Sequence, residues 1–224
     1  MRSLLKHEIE LDPQVTFLVG DNGSGKSTLM EALAVAAGFN PEGGSQSFRF
    51  ATRATESSLG DYLVLQRGLR KPRTGFFLRA ESFYNVASEV DRLDKEPGTP
   101  PLLPSYGGRS LHEQSHGESF LSLMTHRFGP RGLYLLDEPE AALSLKSCLA
   151  LVSRIAELTS QGSQFVIATH SPIVLALPGA RILQIDSSGE LEHVEYDDAE
   201  PVRLTRNFLA DPQNFLRHLL TDSD

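Results

Sequence analysis

The sequence predicts an α/β fold that is built on a mostly parallel core sheet. Three short apolar runs, at residues 15–19, 133–136 and 165–168, have the composition of strands that are buried on both faces. The first run leads through a glycine-rich loop into a helical pattern, which gives the order strand, loop, helix. An antiparallel β portion is expected on the N-terminal side, where residues 1–19 are predicted to form paired short strands.

The most informative segment is the glycine-rich loop, Gly20-Asp21-Asn22-Gly23-Ser24-Gly25-Lys26-Ser27-Thr28. It fits the phosphate-binding P-loop pattern G-x-x-x-x-G-K-[ST], and the helix after it is predicted to stop at Gly38. In such a loop the backbone N–H groups surround the β-phosphate, Lys26 reaches the β- and γ-phosphates, and the Ser27 hydroxyl can bind Mg²⁺. We therefore expect ATP or GTP to bind to Asn22, Gly23, Ser24, Gly25, Lys26, Ser27 and Thr28. The alternative is a flexible turn before a helix.

A pair of carboxylates follows the strand at 133–136. Asp137 is expected to hold Mg²⁺ directly or through water, and Glu138 is expected to polarise the water that attacks the γ-phosphate. An acidic pair after a core strand can also serve simply to cap the next helix. The P-loop upstream favours the metal-binding interpretation, because such a loop needs a carboxylate partner for its Mg²⁺.

A histidine follows the strand at 165–168, within Thr169-His170-Ser171-Pro172. Together with the P-loop, the carboxylate pair and the run 139–144, this segment resembles the ATP-binding-cassette (ABC) ATPases. The similarity is to short stand-alone AAA- or ABC-like ATPases that are related to SMC and recombination-repair ATPases. It implies a P-loop NTPase fold, ATP and Mg²⁺ as cofactors, a D-loop at 139–144, and ATP hydrolysis with Glu138, His170 and Lys26 as catalytic residues.

The family's remaining hallmark is a signature segment of the LSGGQ type, for which this chain offers residues 114–119. Ser115 and Gly117 match the pattern, whereas His116 and Glu118 depart from it. In the family this segment opens a helix and binds the γ-phosphate that a partner subunit holds. The resemblance therefore implies an ATP-dependent homodimer, closed head to tail, in which Ser115 and Gly117 complete the other subunit's site.

The family pattern is incomplete in three places. The strand after the P-loop helix, at 74–81, ends in Glu81 where transporter cassettes carry a Q-loop glutamine, so Glu81 is a candidate metal ligand, with Gln66 a weaker candidate for the Q-loop. The aromatic residue that stacks on adenine has no counterpart upstream of the P-loop except Phe17, which the strand needs. Ser144 stands where the D-loop normally ends in Asp.

A competing motif overlaps the signature segment. His112-Glu113-Gln114-Ser115-His116 fits H-E-x-x-H, in which two histidines one helical turn apart bind Zn²⁺. A zinc protease needs a helix that continues past the second histidine, but Gly117 follows at once. The pentapeptide is therefore interpreted as a coincidence.

Composition limits the remaining possibilities. At 224 residues the chain suits a single domain, with a core lobe at about 1–81 and 130–224 and an embedded helical subdomain at about 82–129. No run reaches transmembrane length and no signal peptide is evident, so a cytoplasmic location is expected. The single cysteine, Cys148, is expected to pack in the core.

The net charge of −8 gives no general attraction to nucleic acid or anionic lipid. A cluster of basic residues is therefore interpreted as a solvated loop rather than a binding patch; it comprises Arg67, Arg70, Lys71 and Arg73, with Arg49 and Arg53 nearby.

The length of the helical region bears on the kind of relative this chain resembles. The 33 residues between Glu81 and Ser115 are too few for the long coiled coil of SMC and repair relatives. The protein partner or nucleic acid that ATP turnover would serve is not identified. Two alternatives to a dimeric ATPase are a nucleotide-gated protein- or DNA-binding module with slow turnover, and a peripheral transporter subunit. Residues 182–196 are predicted to form a closing hairpin, and residues 204–220 two amphipathic helices of unknown task.

Overall fold

The computed structural model describes residues 8–45, 58–68, 71–97, 101–186 and 188–221. It confirms an α/β fold around one six-stranded sheet. The strands are β1 (Val15–Val19), β2 (Thr74–Arg79), β3 (Gly132–Asp137), β4 (Gln164–Ala168), β5 (Arg181–Ile185) and β6 (Leu191–Val194). Their order across the sheet is β2-β3-β4-β1-β5-β6, and all neighbours are parallel except β5 and β6.

Helices connect the strands. They are α1 (Lys26–Ala37), α2 (Phe83–Asp94), α3 (His116–Arg127), α4 (Leu145–Ser160), α5 (Pro172–Leu175), α6 (Glu200–Ala210) and α7 (Pro212–Thr221). Serine side chains cap several of them: Ser144 accepts a hydrogen bond from the Ser147 N–H at the start of α4, and Ser171 accepts one from the Val174 N–H at the start of α5. The helix α1 ends at Gly38, whose φ of 87° lies in the left-handed region that glycine adopts without strain.

The core lies on both faces of the sheet, because successive side chains of a strand point in opposite directions. On one face, Leu18 packs with Leu29 and Met30 of α1. On the other, Phe17 shares a cluster with apolar residues of α2, α3 and α4. Cys148 is buried in this second cluster, as expected. The central strands are therefore buried on both sides, which explains their continuously apolar sequences.

The N-terminal side differs from the expected paired strands. Residues 8–14 form no strand, and residues 1–7 lie outside the described part of the chain. Directly before β1 the chain forms a local turn, in which Asp12 Oδ1 accepts hydrogen bonds from the N–H groups of Gln14 and Val15, at 2.7 and 3.2 Å. The antiparallel pairing that the structure describes is the closing hairpin of β5 and β6, together with an isolated bridge between Gly44 and Phe77.

The strand before the helical region is shorter than expected. The strand β2 ends at Arg79 rather than at Glu81, since the chain turns at residues 80–82 before α2 begins. Residues 82–97 and 101–129 contain α2, α3 and two 3₁₀ turns, at Leu103–Tyr106 and Leu111–Glu113, and no strand. The division into a core lobe and a helical subdomain stays a prediction.

Part of the basic cluster has a structural contact. The Arg67 guanidinium donates to the carbonyl oxygens of Ala36 and Ala37, at 3.4 and 3.5 Å. These carbonyls lie at the C-terminus of α1, where a positive charge is favourable. Arg49, Arg53 and Arg70 lie outside the described residues.

Candidate functional site

The predicted site residues follow strands that are neighbours in the sheet. Because β2, β3, β4 and β1 are parallel and adjacent, their carboxyl ends meet at one edge. The register places Asp137 of β3 beside Ala168 of β4 on one side and beside Arg79 of β2 on the other. The P-loop begins directly after β1, at the same edge.

The P-loop has the backbone that a phosphate cradle requires. Gly20, Gly23 and Gly25 have φ values of 152°, 81° and 99°, in the region that side chains disfavour. A Cβ atom at Gly20 would also lie 2.9 Å from the Ile185 carbonyl oxygen, so a larger residue does not fit. The helix α1 begins at Lys26, and its N-cap residue, Gly25, has no side chain with which to bind the first N–H groups. These N–H groups are thus available to a phosphate.

Lys26 lies inside this loop. The residue is 4% exposed, and its Nζ donates to the carbonyl oxygens of Gly20 and Asp21, at 2.7 and 3.0 Å. Burial lowers the pKa of Lys26, and the nearby carboxylates of Glu138 and Asp137 oppose that shift. The ammonium group is therefore held in the loop by contacts that phosphate oxygens could replace. The Ser24 hydroxyl is buried and has no hydrogen-bond partner in the described structure, which suits a phosphate ligand.

The P-loop and β3 meet at a pair of oxygen ligands. Ser27 Oγ donates to Asp137 Oδ1 at 3.3 Å. Burial raises the pKa of Asp137 to about 6, and Arg79 acts in the opposite direction. Magnesium prefers hard oxygen ligands and is commonly bound through one or two carboxylates and substrate phosphates. The residues Ser27 and Asp137 therefore fit a magnesium ion.

Glu138 has an unusual backbone conformation. Its φ and ψ are both 51°, in the left-handed region that a residue with a Cβ rarely adopts. A hydrogen bond of 2.9 Å from its N–H to the Ala168 carbonyl oxygen holds this turn in place. Its Oε1 lies 3.7 Å from His170 Nε2. Strained conformations of this kind concentrate at functional sites.

An open pocket joins these groups. It has a volume of about 630 Å³ and is lined by Asp21, Asn22, Glu138, Glu140 and His170. Glu140 Oε1 accepts a hydrogen bond of 2.6 Å from the His170 N–H, so the D-loop fixes the start of the segment after β4. Of the side chains predicted to act on the γ-phosphate, Glu138 and His170 line this pocket.

The signature residues do not line this pocket. Ser115 is the N-cap of α3, where its side chain and that of Glu118 form a reciprocal capping box. A Cβ atom at Gly117 would lie 3.3 Å from the Ala142 carbonyl oxygen, so the start of α3 packs against the 3₁₀ turn at Pro139–Ala142. The structure thus brings the predicted signature segment beside the predicted D-loop rather than into this pocket.

Glu81, the candidate metal ligand that follows β2, is exposed and pairs with Arg79. Its side chain is 89% exposed, and its carboxylate lies 3.6 Å from Nη2 of Arg79. It is Arg79 that faces Asp137, with Nε 3.6 Å from Oδ2. Sequence reasoning missed Arg79, although its position at the carboxyl end of a predicted strand was a usable signal. It also gave no role to Asp21 or Glu140 in the pocket.

The two histidines of the H-E-x-x-H pentapeptide lie on different elements. His112 belongs to the 3₁₀ turn at Leu111–Glu113, and His116 is the first residue of α3. His112 Nε2 lies 3.0 Å from Ser88 Oγ on α2, and its ring packs edge-on against Tyr84. The histidines are therefore not one turn apart on a shared helix, as the zinc motif requires.

Comparison with known proteins decides the family. A model described as an AAA domain matches residues 1–73, and a second, described as an AAA domain, putative AbiEii toxin, type IV TA system, matches residues 102–176. The cytochrome c biogenesis ATP-binding export protein CcmA of Rhodospirillum rubrum is 31% identical over 179 residues, which cover 75% of this chain and 72% of that protein. The chain belongs to the ABC-type ATPase family.

Other relatives of this ABC-type ATPase are larger. The pyoverdine export ATP-binding/permease protein PvdT of Pseudomonas entomophila is 30% identical over 186 residues, and the match covers 75% of this chain and 27% of that protein. The chain thus spans well under half the length of that relative. Among solved structures, the SMC head domain from Thermotoga maritima is 16% identical, with a TM-score of 0.44, and the match covers 84% of this chain and 92% of that chain.

None of the described helices combines the length and hydrophobicity that a bilayer crossing requires.

Proposed function

We propose that this ABC-type ATPase binds ATP together with Mg²⁺ and hydrolyses it to ADP and phosphate. The observation that carries the proposal is the 3.3 Å hydrogen bond between Ser27 Oγ and Asp137 Oδ1, which joins the P-loop to the acidic end of β3 across 110 residues. Glu138 and His170 line the pocket at the same edge of the sheet. A phosphate cradle, two metal ligands and a base thus lie together.

Each group has a separate task in the proposed reaction. The P-loop N–H groups and Lys26 bind the β- and γ-phosphates, with Lys26 Nζ exchanging its two carbonyl partners for phosphate oxygens. Glu138 takes a proton from water while the water oxygen bonds to the γ-phosphorus and the bond to the β–γ bridging oxygen breaks. His170 contacts the γ-phosphate beside Glu138. Ser27 and Asp137 would hold Mg²⁺, which would supply positive charge to the phosphate oxygens.

The proposal includes a composite site in a head-to-tail homodimer. Ser115 and the first N–H groups of α3 form a helix N-terminus that favours an anion. Because they do not line their own subunit's pocket, the phosphate they would bind is the partner's. In the described structure the Ser115 hydroxyl donates a hydrogen bond of 2.7 Å to the Glu118 carboxylate. On closure of the dimer, Ser115 would donate to the partner's phosphate instead.

A second candidate function is that of a peripheral subunit, located in the cytoplasm, which binds ATP for a membrane transporter. Its support is the relationship to CcmA and PvdT, whose names describe export proteins. Co-purification with a membrane protein would favour it. A nucleotide-gated binding module would instead show ATP-dependent dimerisation with negligible turnover.

Substitution of Lys26 tests the central proposal. In Lys26→Ala the γ-phosphate loses a direct cationic ligand, so ATP hydrolysis should fall about 100-fold or more, as on removal of other transition-state donors. Phosphate release and equilibrium binding of a fluorescent ATP analogue measure the effect, and circular dichroism checks the fold. Lys95→Ala, at an exposed position just after α2, is the matched control. Hydrolysis by Lys26→Ala at the wild-type rate would refute the proposal.

A further inference from the structure

Arg79 lies among three carboxylates at the edge of the magnesium-binding residues. Its guanidinium approaches Glu31 of α1 at 3.2 Å, Asp137 at 3.6 Å and Glu81 at 3.6 Å. The Arg79 side chain is only 18% exposed, and those of Glu31 and Asp137 are 13% and 6% exposed. Two nearly buried carboxylates therefore share one nearly buried cation.

Electrostatics explain why a cation is needed at this position. A buried carboxylate that loses contact with water is strongly destabilised unless a positive charge lies nearby. Arg79 meets this need before any metal is bound, since it is the last residue of β2 and its register partner on β3 is Asp137. A magnesium ion brought to Asp137 would place two further positive charges close to the guanidinium, and Coulomb repulsion between them follows.

Arg79 forms a hydrogen bond with Glu31 but lies beyond hydrogen-bond distance from Asp137. Nη1 donates a hydrogen bond to Glu31 Oε2, whereas Nε is buried without a hydrogen-bond partner in the described structure and lies beyond hydrogen-bond distance from Asp137 Oδ2. Asp137 is thus balanced by the charge of Arg79 without being tied to it by a hydrogen bond. The carboxylate can accept a metal while Arg79 stays on Glu31.

We propose that Arg79 is a built-in counterion of the metal site, which balances Asp137 before ATP and Mg²⁺ arrive and sets how strongly Mg²⁺ strengthens ATP binding. The inference rests on the proposed function, because it requires that ATP and Mg²⁺ bind here. Arg79 favours the binding of ATP without metal by attracting its phosphates. It also opposes the metal by charge repulsion, so it reduces the magnesium coupling, defined as the ratio of ATP affinity with Mg²⁺ to that without it.

Four variants test the assignment. Affinity for a fluorescent ATP analogue is measured in EDTA and in saturating Mg²⁺, with thermal unfolding recorded alongside. Arg79→Gln removes the counterion and should raise the magnesium coupling about tenfold. This change corresponds to a modest part of the Coulomb repulsion expected between Arg79 and a magnesium ion at Asp137, whose Oδ2 lies 3.6 Å from Arg79 Nε. Arg79→Lys keeps the charge and should remain within about threefold of the wild type. Arg154→Gln is the matched control, because Arg154 is 24% exposed and pairs with Glu157 on α4, away from the pocket.

Glu31→Gln gives a second, opposite signal. It removes a negative charge that offsets Arg79, so the coupling should fall below that of the wild type. A coupling in Glu31→Gln that equals or exceeds that of the wild type would contradict the counterion role, even if Arg79→Gln does not fold. An unchanged coupling in Arg79→Gln, or one that falls in both Arg79→Gln and Glu31→Gln, would overturn the counterion role in favour of one in packing or in aligning Asp137. Wild-type protein that binds no ATP in either buffer would refute the proposed function itself.

Discussion

Glu138 shows how a single residue can combine a backbone constraint with a proposed chemical role. Its left-handed conformation re-aims the chain directly after β3, so that the side chain lines the pocket while Asp137 stays buried beside Ser27. A residue with a Cβ atom is destabilised by about 1 to 2 kcal/mol in this conformation. The proposed base is therefore held at a cost to stability.

Replacement of Glu138 by glycine should reveal that cost. Glycine adopts the left-handed region freely but loses about 0.5 to 1 kcal/mol through its greater freedom in the unfolded chain. With the strain of about 1 to 2 kcal/mol removed, Glu138→Gly should be more stable than Glu138→Gln by about 0.5 to 1 kcal/mol. Urea unfolding without nucleotide measures the difference, and both variants should lose hydrolysis.

Arg131 supplies the control for this comparison. It has a φ of 56° and is exposed, and it does not line the pocket. Arg131→Gly should therefore stabilise the protein by a similar amount while keeping wild-type turnover. If Glu138→Gly were no more stable than Glu138→Gln, the left-handed turn would not be a site of strain.

At the level of elements, α3 shows how a local motif can be misread from spacing alone. The pentapeptide at 112–116 contains both a zinc-type pattern and the start of the signature helix. The structure separates its histidines by an extended stretch at Gln114 and Ser115, with Ser115 capping α3. The helix boundary, rather than the residue types, decides between the two interpretations.

Metal removal distinguishes these interpretations in solution. EDTA should abolish ATP hydrolysis because it removes Mg²⁺, whereas a chelator selective for zinc should leave turnover intact. His112→Ala should also keep turnover, with a loss of stability of about 1 kcal/mol from its contacts with Ser88 and Tyr84. Stoichiometric zinc in the purified protein, measured by atomic absorption, would reverse this judgement.

For the whole molecule, the proposed composite site makes the oligomeric state depend on ATP. Ser115 does not line the pocket of its own subunit in the described structure, so in the proposed mechanism a second subunit would supply this contact. Closure would be favoured when ATP is bound and lost when it is hydrolysed. Variants that separate binding from chemistry can test this.

Glu138→Gln and Ser115→Arg should behave oppositely in ATP. The first keeps Asp137 and the P-loop but removes the base, so turnover should fall about 100-fold or more and the closed dimer should persist. The second puts a bulky side chain where the partner's phosphate would lie, so each subunit should bind ATP and remain a monomer. Size-exclusion chromatography with light scattering measures both. The composite-site mechanism would be wrong if both were monomers with ATP bound, or if Ser115→Arg retained full turnover.

The sequence by itself determined the fold class, the P-loop and the acidic end of β3. These features are local. The turns of the P-loop need glycines at particular positions among nine consecutive residues, because only glycine adopts positive φ without strain. Continuous apolar runs predict strands that are buried on both faces. The closing hairpin at 182–196 and the helix after the P-loop were predictable for the same reason, since their turn residues and their periodicity lie within short segments.

The tertiary structure decided which of these segments meet. Ser27 and Asp137 are 110 residues apart, and their contact depends on the placement of β4 between β1 and β3 in the sheet. The exposure of Glu81, and the position of Arg79 between Glu31 and Asp137, follow from where β2 ends and from its register with β3. Strand order and register are set by packing across the whole core, and a single sequence does not encode them in any local pattern.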